Sequence, residues 1–125
     1  DKSLSFEGDS GPYLQYTHAR AHSVVEKAQG LGVRPATDRA DASGELEKIL
    51  FTYPEVVERA QKELAPHHMC TYLIELARAF NRYYAEERIT DAGEHAPYRT
   101  ALASAVEVVL KNGLHLLGIH APEKM

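Results

Sequence analysis

The sequence predicts an all-α protein, a single bundle of about five helices. Two observations carry this. Apolar residues recur at three- and four-residue steps along nearly the whole chain, and the alternation expected of strands is nearly absent. Gly and Pro fall between the periodic stretches, where they stop and start helices. The chain has 125 residues, the usual size of one domain, so residues 1–125 are read as a single unit with a real core.

The first helix is expected from about Pro12 to Gln29. Gly8 and Gly11 punctuate a turn before it. Asp9 or Ser10 can cap it, and Pro12 suits its first position, where a backbone N–H would lack a partner anyway. Its apolar positions include Tyr13, Tyr16, Ala21, Val24, Val25 and Ala28, and Gly30 and Gly32 end it. Leu31 to Gly44 reads as a loop, long for a compact domain. Leu46, Ile49, Leu50 and Tyr53 give a second, short helix, with Ser43 as its cap. Pro54 starts a third, with Val56, Val57, Ala60 and Leu64 inward. Pro66 starts a fourth and longer one, whose stripe is Met69, Leu73, Leu76, Ala77 and Phe80 and which ends near Tyr83 and Tyr84. A polar loop, Glu86 to Ala96, follows. The fifth helix carries Tyr98, Leu102, Ala105, Val106, Val109 and Leu110, with Asn112-Gly113 as its stop. The sequence closes with an apolar stretch, Leu114 to Ile119, and then a tail, Ala121 to Met125.

Composition narrows the classes of function. Apolar residues make up 44% and charged residues 26%, an ordinary globular balance. No apolar run nears the roughly 20 residues that span a bilayer, and no membrane association is expected. The start, Asp1-Lys2-Ser3, lacks an initiator Met and a secretory leader, so the chain is expected to be a piece of a longer one. Cys70 is the only cysteine, which rules out a disulfide framework, fits the cytosol and reads as a buried structural thiol. The net charge of −4 argues against gripping nucleic acid by charge alone, because phosphate neutralisation dominates non-specific affinity. It leaves room for a module that reads a few exposed bases.

Four constellations stand out. Tyr13, Tyr16 and Arg20 lie at i, i+3 and i+7, on one helix face, with Tyr13 and Arg20 about 20° apart on an ideal wheel. Two rings and a guanidinium suit an unstacked base beside a phosphate. Spacing alone favours the plainer reading, two tyrosines in the core with Arg20 on a solvated flank. Tyr83-Tyr84, beside Asn81 and Arg82, offers a second platform, one ring inward and one outward. His18 and His22, with Glu26 a turn on, have metal-ligand spacing, and His67, His68 and Cys70 are the obvious second ligand set. Pairs so spaced are mostly solvated, and no metal site is expected. Finally, Glu45, Glu47, Glu55, Glu58 and Glu63 read as solubilising charges on exposed faces. No nucleophile elbow, phosphate loop or dinucleotide fingerprint is present, so nothing in the chain reads as catalytic.

Three segments add a resemblance. SFEGDSGPYLQYTHAR (residues 5–20), HHMCTYLIELARAFNRYY (67–84) and LKNGLHLLGIHAPEKM (110–125) resemble, in order, the C-terminal DALR anticodon-binding domain of arginyl-tRNA synthetases. The Asp-Ala-Leu-Arg motif of relatives lies upstream of this sequence, and a Thr commonly stands at the Ser10 position. The resemblance implies a helical bundle of the class I synthetase type that cradles the anticodon loop of tRNA-Arg and helps recognise its middle cytosine. Tyr13 looks like the family's stacking tyrosine, Arg20 like its anticodon-contacting arginine, Tyr84 like a tyrosine ending the long helix, and Met125 like a terminal methionine near the loop. Tyr16, Asn81 and Asn112 match motif positions and are assigned to the scaffold. The resemblance further implies that ATP and Mg2+ serve a catalytic domain elsewhere in a cytoplasmic, usually monomeric parent. This portion would carry no cofactor of its own. A rival reading is a protein–protein docking module of a synthetase paralogue, with the same tyrosines as an interface patch.

Overall fold

The computed structural model describes residues 10–38, 40, 44–63 and 66–125. Among them are five α-helices: α1 Gly11–Gly30, α2 Glu45–Phe51, α3 Tyr53–Glu63, α4 Pro66–Glu86 and α5 Ala96–Leu116. A 3-10 turn, Gly93–His95, precedes α5. The described residues contain no strand, as the periodicity predicts.

Helix α1 starts at Gly11 with Pro12 in its first turn, but Ser10 makes no side-chain cap bond, and Asp9 lies outside the described residues. Its buried stripe includes Leu14, Thr17, His18, Ala21, Val24 and Ala28, a period near 3.6. It stops as expected at Gly30. Gly32 takes φ +76°, a value glycine reaches without strain, and Val33 N–H turns back to the Ala28 carbonyl at 2.9 Å. The loop after α1 is hooked to the start of α5, where Ala36 N–H donates to the Pro97 carbonyl at 3.1 Å.

The cap expected at Ser43 also lies outside the described residues. At the start of α2 the backbone N–H of Gly44 donates instead to Glu47 Oε1 at 3.0 Å. Glu47 Oε2 also accepts from the Tyr98 hydroxyl at 3.0 Å. Glu47 is therefore half-buried and joins α2 to α5, rather than being a solubilising charge on an exposed face. Thr52 separates α2 from α3, and its hydroxyl donates to the Ile49 carbonyl at 2.9 Å. That carbonyl also accepts from Tyr72 of α4, whose phenol burial pushes well above its ordinary range.

The core is built on α1, α4 and α5, with α1 packed chiefly on α5 and α3 resting on α4. Leu14, Leu73, Leu76, Phe80, Val106 and Leu110 are wholly buried within it. The stripe predicted for α4 is inward as expected, joined by Tyr72 and Ala79. The polar loop before α5 also hides an apolar anchor, because Ile89 is only 6% exposed. Helix α5 runs past Asn112-Gly113 to Leu116, so this pair does not stop it. Gly113 is buried at the α4–α5 crossing, where a Cβ would stand 2.6 Å from Leu73 Cδ2. It permits a close approach of two helices and is no cap. The turn out of α5 is made at Gly118, φ +78°, with Ile119 N–H on the Leu114 carbonyl at 2.8 Å.

From Gly118 the tail runs along α1, in the same direction. Gln15 Nε2 donates to the His120 carbonyl at 2.9 Å, His18 Nδ1 to the Pro122 carbonyl at 2.7 Å, and His22 Nε2 lies 3.7 Å from Glu123. These contacts carry Lys124 and Met125 to the face of α1 that bears Arg20.

Candidate nucleic-acid interface

Asn81 of α4 is the hub of the candidate site. Its Oδ1 accepts from the Arg20 guanidinium at 3.0 Å. Its Nδ2 donates to the Tyr13 hydroxyl and to Thr17 Oγ1, both at 3.0 Å. Arginine can only donate, so the carboxamide oxygen must face Arg20 and the nitrogen must face the two hydroxyls. Thr17 passes its own proton to the Tyr13 carbonyl at 2.9 Å. One amide thus locks three side chains of α1 to α4.

Arg20 is held on three sides. A second N–H donates to the Tyr16 hydroxyl at 2.8 Å. Its guanidinium carbon lies 5.0 Å from the centre of the Tyr16 ring and 4.3 Å from that of Tyr84. A guanidinium has five N–H donors, so three remain for a ligand. Tyr16 is 46% exposed and Tyr84 43%, so both rings keep area free for contact. Tyr84 leans on buried Phe80, with ring centres 6.3 Å apart, while Tyr83 turns inward to pack on the core.

These residues line an open cleft of about 730 Å3, whose rim is completed by Met125 and Lys124 of the tail. Met125 is 69% exposed. The opposite wall is the segment 87–91, anchored by Ile89 and by Arg99, which donates to the Arg88 carbonyl at 2.9 Å and pairs with Glu87 at 3.4 Å. Four cationic side chains, Arg20, Lys27, Arg88 and Lys124, line the cleft against two carboxylates, Glu87 and Asp91, a cationic surplus in a chain of net charge −4.

Arg20, Tyr84 and Met125, singled out from sequence, therefore share one cleft. Tyr13 does not line it: its ring is half-buried against the core beside Asn81. Tyr16, assigned to the scaffold from sequence, stands in the cleft instead. Its i, i+4 spacing to Arg20 was the available signal. Asn81 is the scaffold it was taken for. The cleft offers π-faces together with guanidinium, ammonium and hydroxyl donors. It suits an unstacked base and an acceptor-rich edge or phosphate.

The histidines have other employment. His18 is buried rather than solvated, and its Nδ1 proton goes to Pro122, since a carbonyl only accepts. His22 Nδ1 bonds Glu107 of α5 at 2.6 Å, which raises its pKa above the ordinary 6.5 despite opposing desolvation. Among the described residues no cluster of three or more His, Cys, Asp or Glu side chains could hold a metal ion. Cys70 is half-buried, and burial pushes its thiol upward. No described helix is long and apolar enough to cross a membrane.

Residues 14–125 match the sequence profile of the DALR anticodon binding domain. The chain is 43% identical to the arginine–tRNA ligase 1 of Bacillus cereus, with 100% of this chain aligned to 22% of that protein. It is 45% identical to the arginine–tRNA ligase of Thermococcus kodakarensis, covering 98% of this chain and 21% of that protein. Among solved structures, the arginyl-tRNA synthetase of Thermus thermophilus superposes on 99% of the chain with a TM-score of 0.74 and 36% identity. The chain spans only about a fifth of the length of these relatives.

Proposed function

Since the chain belongs to the DALR anticodon binding domain family, we propose that it recognises the anticodon loop of tRNA-Arg on behalf of an arginine–tRNA ligase. In this reading the domain contributes recognition only. ATP- and Mg2+-dependent aminoacylation belongs to the remainder of such a ligase, which acts as a cytoplasmic monomer. The observation that carries the reading is Arg20, held by Asn81 between two exposed tyrosines in a cleft with a cationic surplus. Tyr84 and Tyr16 supply stacking area, Arg20 supplies donors to a base edge or phosphate, and Met125 closes the cleft with an apolar contact. Tyr13 serves from beneath the cleft: its hydroxyl accepts from Asn81 and so helps to hold the amide that positions Arg20.

The test is binding at low salt to a tRNA-Arg anticodon stem-loop and to a copy with the middle cytosine replaced. Tighter binding of the unaltered loop supports direct readout by this bundle. Equal binding of the two loops counts against direct readout, and binding of neither favours the docking-module reading.

A further inference from the structure

A second groove lies between the tail and α5. It holds about 710 Å3 and is lined by Lys111, Asn112 and His115 of α5 and by His120, Glu123 and Lys124 of the tail, among others. Lys124 borders both this groove and the Arg20 cleft, so the two are continuous across one side chain. Lys111 and His115 stand one helical turn apart and share a face.

Two features oppose an anion here, and neither outweighs the rest of the lining. The carboxyl end of α5 carries partial negative charge on its last carbonyls. Those of Gly113, Leu114 and His115 already accept from the N–H groups of Leu117, Ile119 and Gly118, at 3.2, 2.8 and 2.9 Å. The other is the Glu123 carboxylate, which faces His22 at 3.7 Å. Against that one carboxylate the groove sets two ammonium groups, two imidazoles and a carboxamide, a donor-rich lining in an acidic chain.

We propose that this groove carries the sugar–phosphate backbone of the RNA strand whose base enters the Arg20 cleft, with Lys111 and Lys124 as the phosphate contacts. The proposal rests on the anticodon-loop reading above. Phosphate contacts fix the register of a strand without reading its sequence, whereas the cleft reads the base. The two grooves therefore predict separable effects.

The experiment titrates the chain with the stem-loop and its middle-base variant across a range of salt, comparing wild type, Lys111→Gln and Arg20→Ala. Lys111 does not line the cleft and is exposed, so its loss leaves the fold intact, as an unchanged melting temperature would verify. Lys111→Gln is expected to weaken both RNAs by the same factor, about eightfold at about 50 mM salt. That is the share of one single-strand counterion with a slope of about 0.7. The salt slope should become shallower by about the same 0.7, with the ratio between the two RNAs unchanged. Arg20→Ala should abolish the ratio. Wild-type affinity and slope in Lys111→Gln would overturn the groove while leaving the cleft. A wild type that binds both RNAs equally, with a slope still reduced by Lys111→Gln, would overturn the anticodon reading and leave a sequence-blind phosphate groove. A wild type that binds neither RNA would overturn both.

Discussion

The guanidinium of Arg20 lies over the ring of Tyr84, 4.3 Å from its centre, which joins the middle of α1 to the end of α4 through a cation–π contact. Such contacts contribute about 0.5–1 kcal/mol at exposed sites and more when water is excluded. A ligand that covers Tyr84 would strengthen the same pair that holds the site open.

Replacing Tyr84 with Ala should therefore act on binding more than on folding. Loss of a stacked aromatic weakens single-stranded RNA by about 1–3 kcal/mol. We expect a decrease of that size in stem-loop affinity by fluorescence anisotropy, with a melting temperature close to wild type. Arg20→Lys should not restore what Arg20→Ala loses, because an ammonium lacks the planar fork that serves Asn81 and Tyr16 together. Unchanged affinity in Tyr84→Ala would remove that ring from the site.

Asn81→Ala should act on both properties. Its amide serves Arg20, Tyr13 and Thr17, and orphaning buried partners costs about 1–3 kcal/mol. The unfolding free energy from denaturant titration should fall by that amount, and RNA discrimination should fall with the release of Arg20. Asn81→Asp keeps the acceptor for Arg20 and loses both donors, so it should retain more discrimination than Asn81→Ala. Equal loss in the two variants would contradict the hub.

Gly113→Ala sets two effects against each other. Alanine favours a helix over glycine by about 1 kcal/mol. Its Cβ, however, meets Leu73 at 2.6 Å, and Leu73 is wholly buried among core neighbours that would have to shift with it. Overpacking costs about 1–3 kcal/mol, so the net change should be destabilising. In a Leu73→Ala background the same substitution should become neutral or stabilising, which a double-mutant cycle reads directly. Additive effects would show that the crossing is loose.

His22 gives a pH dependence of known sign. Its bond to Glu107 raises its pKa in the folded state above the ordinary 6.5. The stability it adds is complete below about pH 6.5 and is lost as pH rises through the folded-state pKa. The melting-temperature advantage of wild type over His22→Gln should therefore be larger at about pH 6 than at about pH 8. An equal advantage at both would mean that the Glu107 bond does not titrate with the fold.

The local part of this molecule is legible in its sequence. Pro12, Pro54 and Pro66 stand at helix starts, Gly30 at a helix end, and the stripe of α4 reads off its period. What escaped depends on distant partners. Asn112-Gly113 has the chemistry of a helix stop, and only Leu73, on another helix, shows that Gly113 is there for lack of a side chain. His18 stands four residues from Leu14 and three from Ala21, squarely on the buried stripe. Its spacing to His22 drew attention to metals instead of to burial. Tyr16 counts as apolar by period, yet it is exposed, because Arg20 and the tail, and not the core, are its neighbours. The docking of the tail has no local signature: Gln15 meets His120 across 105 positions of sequence.

That last contact has a consequence for biosynthesis. The wall of the cleft formed by Lys124 and Met125 is made last, whereas Tyr16 and Arg20 leave the ribosome among the first residues of this bundle. A nascent chain halted within α5 would carry both Arg20 and the 87–91 wall but would lack the rim that Lys124 and Met125 supply. On the proposed reading, RNA binding by this bundle therefore waits on the docking of the tail along α1, and a product cut short within α5 would compete poorly with one that carries the tail.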